Sequence, residues 1–235
     1  ASVVCVISAG KGLESLIVKE MGAFGRPTHL EVMTNYQYLA SIGWTKRPES
    51  ITEEDREAIR NLDGLVAACS PSADFQFTAK YGPTASVTRV LAVSSEYFAM
   101  EKLSLNRGRP FNPEDDRSER RAAILGAAAA DKFFGPQGSG TRENPIGKRI
   151  RIGSFGEIEV VGVLEKEPPS LFQSFQSYDA TNNGTIFVPF SSVRRFGGDT
   201  ETNQLKVEVV SADKVDKAQR AILSVLSQNH GKWDD

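Results

Sequence analysis

Apolar residues near the N-terminus recur at the spacing of a helix. The set that falls every three or four residues consists of Leu13, Leu16, Ile17, Met21 and Phe24. Gly25 and Pro27 follow as stop signals. The pattern therefore predicts an amphipathic helix over residues 11 to 24.

The first nine residues of the chain are nearly all apolar or small. They are fewer than the roughly 20 that a bilayer-spanning helix needs. No basic segment precedes them, as it would in a signal peptide. We interpret residues 1 to 9 as the outer end of a membrane-spanning helix, and the start of an ordinary buried strand or helix is the alternative.

Two further long segments have helical signals. Thr52 and Asp55 have the spacing of a capping box, and apolar residues follow on one face as far as Leu62. Near the C-terminus, residues 212 to 228 place their apolar positions on one face. Shorter helices are predicted over residues 96–100 and 127–134.

Strands are predicted where apolar residues alternate with polar ones or form short runs bounded by glycine and proline. These runs occupy residues 29–36, 65–69, 75–80, 86–93, 122–125, 149–152, 157–164, 185–189 and 204–210. Pro71 and the pair Gly82-Pro83 are read as turns between strands.

The order of these elements predicts an α+β fold with two lobes. A strand-helix unit lies near each end of the chain, and a β-rich block lies between the two units. We therefore expect one strand-helix lobe built from residues 1–104 and 199–235, and an inserted β-rich lobe of residues 105–198.

Charge and composition restrict the classes of function. The 235 residues include 28 basic and 30 acidic side chains without a basic stripe, so nucleic acid is not an expected partner. Cys5 and Cys69 have no thiol or histidine near them in sequence, which favours small buried side chains over a zinc site or a disulfide. His29 and His230 have no carboxylate or nucleophile beside them in sequence. We predict no catalytic, metal-binding or cofactor-binding residues and no cofactor.

Three polar segments are interpreted as surface loops. Residues 107–121 carry an acidic cluster but lack the alternating oxygen ligands of a calcium loop. Residues 135–140 are rich in glycine but lack the Lys-Ser/Thr of a phosphate-binding loop. Asn183-Gly184-Thr185 matches a glycosylation sequon and is read instead as a turn.

The segment of residues 165–185 carries three aromatic residues at a regular spacing, namely Phe172, Phe175 and Tyr178. They either project from a loop to contact a substrate or partner, or pack onto the sheet. Solvent exposure of the two phenylalanine rings would favour the first interpretation.

A series of short motifs, in one order along nearly the whole chain, resembles the extracytoplasmic domain of MacB-like ABC transporter permeases. The motifs comprise Ala9-Gly10-Lys11-Gly12, Thr52-Glu53-Glu54-Asp55, Tyr97-Phe98, Gly108-Arg109-Pro110-Phe111, Ile124-Leu125-Gly126, Phe133-Phe134-Gly135, Pro145-Ile146-Gly147, Val161-Gly162-Val163, Ile186-Phe187-Val188-Pro189 and His230-Gly231. Each motif alone is weak evidence for the family. The resemblance is specific because the motifs occur in the same order as in the family.

The resemblance implies a non-enzymatic, porter-like domain on the extracytoplasmic (periplasmic) face of the bacterial inner membrane, in a protein whose membrane spans lie outside this sequence. The implied partners are a second permease copy, a cytoplasmic ATPase domain or subunit and, in some members, a periplasmic adaptor and an outer-membrane channel. ATP-driven closure would pass through residues 1–24 and 212–231, both expected to be helical. The outer domains would then move to export or extract a substrate.

Two alternatives lie within the same family. A lipoprotein-releasing permease would need an apolar concave face of several hundred Å² to bind its client. A signalling permease would sense a peptide or activate a cell-wall hydrolase without moving cargo. A secreted enzyme of another class is disfavoured, because two histidines and two cysteines offer no assembled site.

Overall fold

The computed structural model of the chain describes residues 6–9, 13–20, 28–34, 40, 43, 51–112, 114–115, 121–136, 143–167, 181–192 and 204–230, with the backbone alone for residues 6–9, 13–20, 34 and 154. It divides into two compact units. The terminal unit contains Ala1–Ser72 and Glu201–Asp235, and the inserted unit contains Ala73–Thr200. The predicted lobe boundaries at residues 104 and 198 stay a prediction.

The described residues form eleven strands and four α-helices, which bears out the α+β class. The strands are β1 (Val6–Ala9), β2 (Leu13–Glu20), β3 (His29–Thr34), β4 (Val66–Tyr81), β5 (Thr84–Val93), β6 (Leu105–Gly108), β7 (Ala122–Leu125), β8 (Arg149–Ile152), β9 (Gly156–Leu164), β10 (Ile186–Pro189) and β11 (Gln204–Val209). The helices are α1 (Glu53–Arg60), α2 (Tyr97–Met100), α3 (Ala127–Phe134) and α4 (Val215–His230).

The strands of the terminal unit pair antiparallel in the order β1, β2, β3, β11 and the first half of β4. The alternation of β11 is that of a strand with one buried face, because Leu205, Val207 and Val209 are buried while the residues between them are partly exposed. The apolar stripe of α4 joins the same core. Its members are Val215, Ala218, Ile222 and Leu226.

The prediction of a helix over residues 11 to 24 is wrong where the chain is described. Leu13–Glu20 is a strand whose neighbours on its two sides are β1 and β3. The run Leu16-Ile17-Val18 fits a helical face and a strand equally well, and Ile17 and Val18 are β-branched residues that favour strands. The interpretation of residues 1 to 9 as the end of a helix is also wrong over Val6–Ala9, which pairs with β2 as a strand and so agrees with the strand alternative there.

The inserted unit contains a mixed sheet in the order β5, β10, β7, β9 and β6, with β8 paired to β9 and to the end of β4. Two of its pairings, β10 with β5 and β7 with β9, are parallel. Helix α3 packs on this sheet, and its buried residues Ala130, Phe133 and Phe134 join the core with Phe155 of the segment before β9. Gly135 ends α3, as predicted.

Two further predictions need correction. Pro71 is not a turn, because β4 continues through it and Pro71 pairs with Leu205 of β11. The segment of residues 107–121 is not simply a solvated loop. Its first two residues belong to β6, and Phe111 and Asp115 are buried. The acidic side chains of this segment therefore differ in role, and Asp115 belongs to the interior.

Candidate functional site

The terminal unit has a polar junction where the first turn of α1 meets the last turn of α4. Asp55, whose side chain is 0 % exposed, accepts hydrogen bonds at both carboxylate oxygens. Asn229 Nδ2 lies 2.8 Å from Oδ1, and His230 Nε2 lies 2.8 Å from Oδ2. We call this cluster of Thr52, Asp55, Asn229 and His230 the helix junction.

The α1 side of the helix junction is a capping box. The Thr52 hydroxyl accepts from the Asp55 backbone N–H at 3.1 Å, and Asp55 Oδ2 accepts from the Thr52 backbone N–H at 2.7 Å. The Thr52 hydroxyl also donates to Oδ2 at 2.8 Å. Ile51 and Ile59, on either side of this turn, are both buried. The sequence pattern of Thr52 and Asp55 predicted this cap, and the prediction is confirmed.

Electrostatics at the helix junction favour an ionised carboxylate. Burial raises the pKa of Asp55, but hydrogen bonds from His230, Asn229 and Thr52 outweigh it and hold that pKa at about 2. The helix dipoles also favour an ionised Asp55 at this position. An anion is stabilised at the N-terminal end of α1, and a cation is stabilised at the C-terminal end of α4. An anionic Asp55 therefore accepts from the histidine ring in either its Nε2–H neutral form or its charged form.

Sequence reasoning missed the partnership of Asp55 and His230. The two residues lie 175 positions apart, so neither has the other among its sequence neighbours. One signal was present in the sequence. His230 falls in the last turn of one helix, and Asp55 falls in the first turn of another. An acidic residue at a helix N-terminus can accept hydrogen bonds from a second helix as well as cap its own.

The three aromatic residues predicted to contact a substrate or partner, Phe172, Phe175 and Tyr178, lie outside the described residues. The two ends of the segment that carries them are joined. Asn183 Oδ1 accepts from the Glu167 backbone N–H at 3.0 Å, and Asn183 Nδ2 donates to the Glu167 carbonyl at 3.1 Å. These paired bonds occupy the Asn183 amide, which is buried, and that agrees with reading the sequon as a turn.

Gly126 packs against the same joined ends. A Cβ atom at this position would lie 2.1 Å from the Asn182 carbonyl oxygen and 2.3 Å from that of Asn183. The Gly126 N–H donates to the Thr185 carbonyl at 2.8 Å, so the backbone approaches as closely as glycine permits. The loop base, which we define as Gly126, Glu167 and Asn183, is therefore a fixed part of the inserted unit.

The inserted unit also has a shallow surface depression of about 310 Å³, lined by Thr78, Lys80, Arg151 and Gly153. Lys80 and Arg151 are directly opposite each other on β4 and β8. Arg151 is also opposite Glu157 on β9, which balances part of the positive charge. Two of the four residues that line this depression are therefore cationic.

Other predicted features can be placed in the described part of the chain. Cys69 is buried, and Cys5 lies outside the described residues. The described residues contain no group of three or more His, Cys, Asp or Glu side chains placed to hold a metal ion. Within the same ranges, no helix has the length and apolar character that crossing a bilayer requires.

Curated relatives match essentially the full length of this chain. The chain is 23% identical over 233 residues to the uncharacterized ABC transporter permease YknZ of Bacillus subtilis (strain 168), covering 99% of this chain and 55% of that protein. It is 25% identical over 236 residues to the macrolide export ATP-binding/permease protein MacB 2 of Yersinia pestis bv. Antiqua (strain Antiqua), covering 100% of this chain and 32% of the relative. The chain thus spans between a third and just over half of these relatives' length.

Solved structures have the same fold. The extracellular domain of the ABC-type transporter YknZ from Gram-positive bacteria aligns with a TM-score of 0.64 and 27% identity, covering 82% of this chain and 88% of that one. The periplasmic region of MacB from Actinobacillus actinomycetemcomitans aligns with a TM-score of 0.67 and 16% identity, covering 88% and 86%. The sequence model of the MacB-like periplasmic core domain family matches residues 1–225, and this chain belongs to that family.

Proposed function

We propose that this chain is the extracytoplasmic domain of a MacB-like ABC transporter permease and that it couples ATP hydrolysis to export or extraction of a substrate by mechanical motion. The observation that carries the proposal is the family match over residues 1–225. The named relatives, which are ABC transporter permeases or ATP-binding/permease proteins, support it. The domain performs no enzymatic step in this scheme.

The proposed ATPase partner is supported by the relatives that are ATP-binding/permease proteins, and the other proposed partners are those that the family resemblance implies. A cytoplasmic ATPase domain or subunit supplies the energy, and a second permease copy supplies the surface against which this domain moves. A periplasmic adaptor and an outer-membrane channel complete the assembly in members that have them. The domain works on the periplasmic side of the inner membrane, and the spans that hold it there belong to the parent protein.

The strand at residues 13–20 changes the expected route of coupling. Residues 13–20 form a strand, so the N-terminal segment does not transmit motion as a helix there. Helix α4 remains a rigid candidate, because its apolar stripe is buried on the terminal sheet from Val215 to Leu226. We therefore assign the transmitting role to α4.

A test of this coupling uses the full-length parent reconstituted in lipid. A spin label attached through Val87→Cys would report the distance between two copies, since Val87 is 62% exposed while Cys69 is fully buried. Cys5→Ser would remove the other thiol. We expect the label-to-label distance to change when ATP is added. An unchanged distance during measured ATP hydrolysis would overturn the proposal.

We also propose that Phe172, Phe175 and Tyr178 contact the substrate or a partner. The loop base supports this, because it fixes both ends of the aromatic segment independently of the segment's own sequence. Replacing all three residues by serine should abolish transport while the thermal midpoint of the domain stays the same. A large drop in that midpoint would show that the rings pack in the core instead.

The lipoprotein-releasing alternative has little support in the described residues. The large hydrophobic side chains exposed among them are Val87 and Val210, which lie in different units. Two of the four residues that line the depression of the inserted unit, Lys80 and Arg151, are positively charged. Neither feature supplies the concave apolar face that a lipid-bearing client needs.

A further inference from the structure

The last turn of α4 has little apolar anchoring of its own. Leu226 is the final fully buried side chain of the helix, and the next three residues are exposed. A helix end without packing frays, because its last carbonyls have no partners within the helix. Asn229 and His230 are the residues of this turn that reach across to α1.

Asp55, the acceptor on α1, is held in place more firmly than the last turn of α4. Asp55 is fully buried, and three hydrogen bonds within the capping box hold its carboxyl group and backbone in place. Ile59, one turn later, is fully buried in the core of the terminal unit. A displacement of the end of α4 is therefore resisted by hydrogen bonds to a carboxylate that is fixed to the core of the terminal unit.

We propose that Asp55, Asn229 and His230 form a latch that carries displacement of the end of α4 into α1 and the terminal sheet. The inference rests on the proposed function, and it names the residues through which the motion enters this domain. Without the latch, movement of the residues after α4 would be absorbed by unwinding its last turn. With it, α1 and α4 move as one body.

The bonds of the latch suit this role. Asp55 uses its two oxygens for different donors of the same turn, Asn229 on Oδ1 and His230 on Oδ2. Two bonds to one rigid acceptor fix the direction of the helix end as well as its position. Hydrogen bonds to a charged group are shorter and stronger than neutral ones, which favours load transfer through so few contacts.

The first experiment uses this chain alone and measures amide hydrogen exchange. The variants are His230→Ala, which removes one donor, and His230→Gln, whose side-chain amide can donate to Asp55 in place of the ring. Ser227→Ala is the matched control, since Ser227 is an exposed residue of the same turn. We expect exchange at residues 227–230 to rise about tenfold in His230→Ala and to stay near the unmodified rate in the other two. Equal exchange in all three would overturn the latch.

The second experiment places the same variants in the spin-labelled parent protein. We expect the ATP-dependent distance change in His230→Ala to fall to about half or less of the unmodified value, and His230→Gln to restore it. A full distance change in His230→Ala would overturn the transmitting role of the latch while the proposed function stands. No distance change in the unmodified parent would overturn both the proposed function and the transmitting role of the latch. Hydrogen exchange would then decide separately whether the latch holds the end of α4.

Discussion

Asp55 of the terminal unit and Asp115 of the inserted unit have nearly the same local arrangement but different partners. Each carboxylate accepts from the backbone N–H of the residue three positions earlier, and each aspartate's own N–H donates to the side chain of that residue. For Asp115 these bonds join it to Asn112 at 2.9 and 2.8 Å. Both side chains are almost fully buried, at 0 % and 1 % exposed.

The two clusters differ in the origin of the basic side chain that donates to the carboxylate. Arg109, six positions before Asp115, donates to it from two nitrogens at 2.5 and 3.0 Å, and the Arg109 side chain is 38% exposed. Asp55 instead meets a histidine from the far end of the chain. The Asp115 cluster therefore shapes one local connection, whereas the Asp55 cluster holds together two helices that are distant in sequence.

The largest expected effect follows from removing each carboxylate. Asp55→Ala leaves the Thr52 N–H, Asn229 and His230 without their acceptor, so we expect the free energy of unfolding to fall by about 3 kcal/mol. Asp115→Ala should cost about half as much, because Arg109 can return to water. Urea denaturation of this chain measures both. Equal losses would remove the distinction between the two aspartates.

A double-mutant cycle sharpens this result. Asp55→Ala combined with His230→Ala should show a coupling free energy of about 1.5 kcal/mol or more, as for a hydrogen bond to a charged group. Additive losses would mean that His230 lies near Asp55 without contributing to stability.

An intermediate effect is expected in acid. The folded pKa of Asp55 is about 2, while the ordinary aspartate value of 3.8 applies to the unfolded chain, so the unfolded state binds more protons in this window. The stability from this carboxylate, about 2 kcal/mol, is complete above about pH 4 and is lost as the pH falls towards 2. Unfolding titrations of Asp55→Asn between pH 2 and 5 should lack this part of the pH dependence. An unchanged slope in that variant would contradict the assignment.

The smallest effect belongs to Arg109→Lys. Lysine keeps the charge but cannot donate two bonds to the two oxygens of Asp115 at once, so we expect a loss of about 0.5 to 1 kcal/mol at this partly exposed pair. The change should stay local, with hydrogen exchange in α4 unaltered. Faster exchange in α4 would show that the two clusters are not independent.

The sequence predicted those elements whose signals are local. The capping box of Thr52 and Asp55 predicted the start of α1, and Gly135 predicted the end of α3. The alternation of Leu205, Val207 and Val209 predicted β11. These features depend on capping, chain termination and side-chain period, which neighbouring residues determine.

The predictions that failed depended on distant parts of the chain. Residues 13–20 have an apolar run that suits a helix or a strand, and pairing with β1 and β3 decides in favour of the strand. Pro71 has the signal of a turn, yet β11 holds it within a strand. Asp55 and His230 likewise meet only through the fold, because each residue alone has the sequence context of an ordinary helix end.

The loop base has a consequence for how this domain can be altered. Asn183 and Glu167 close the segment between them with two bonds, and Gly126 leaves no space for the closure to shift. The entropy cost of a closed loop rises only by about 0.6 kcal/mol for each doubling of its length. We therefore expect the closure between Glu167 and Asn183 to hold when peptides of varied length are grafted between residues 167 and 181, which makes this a position where an engineer can insert a binding sequence.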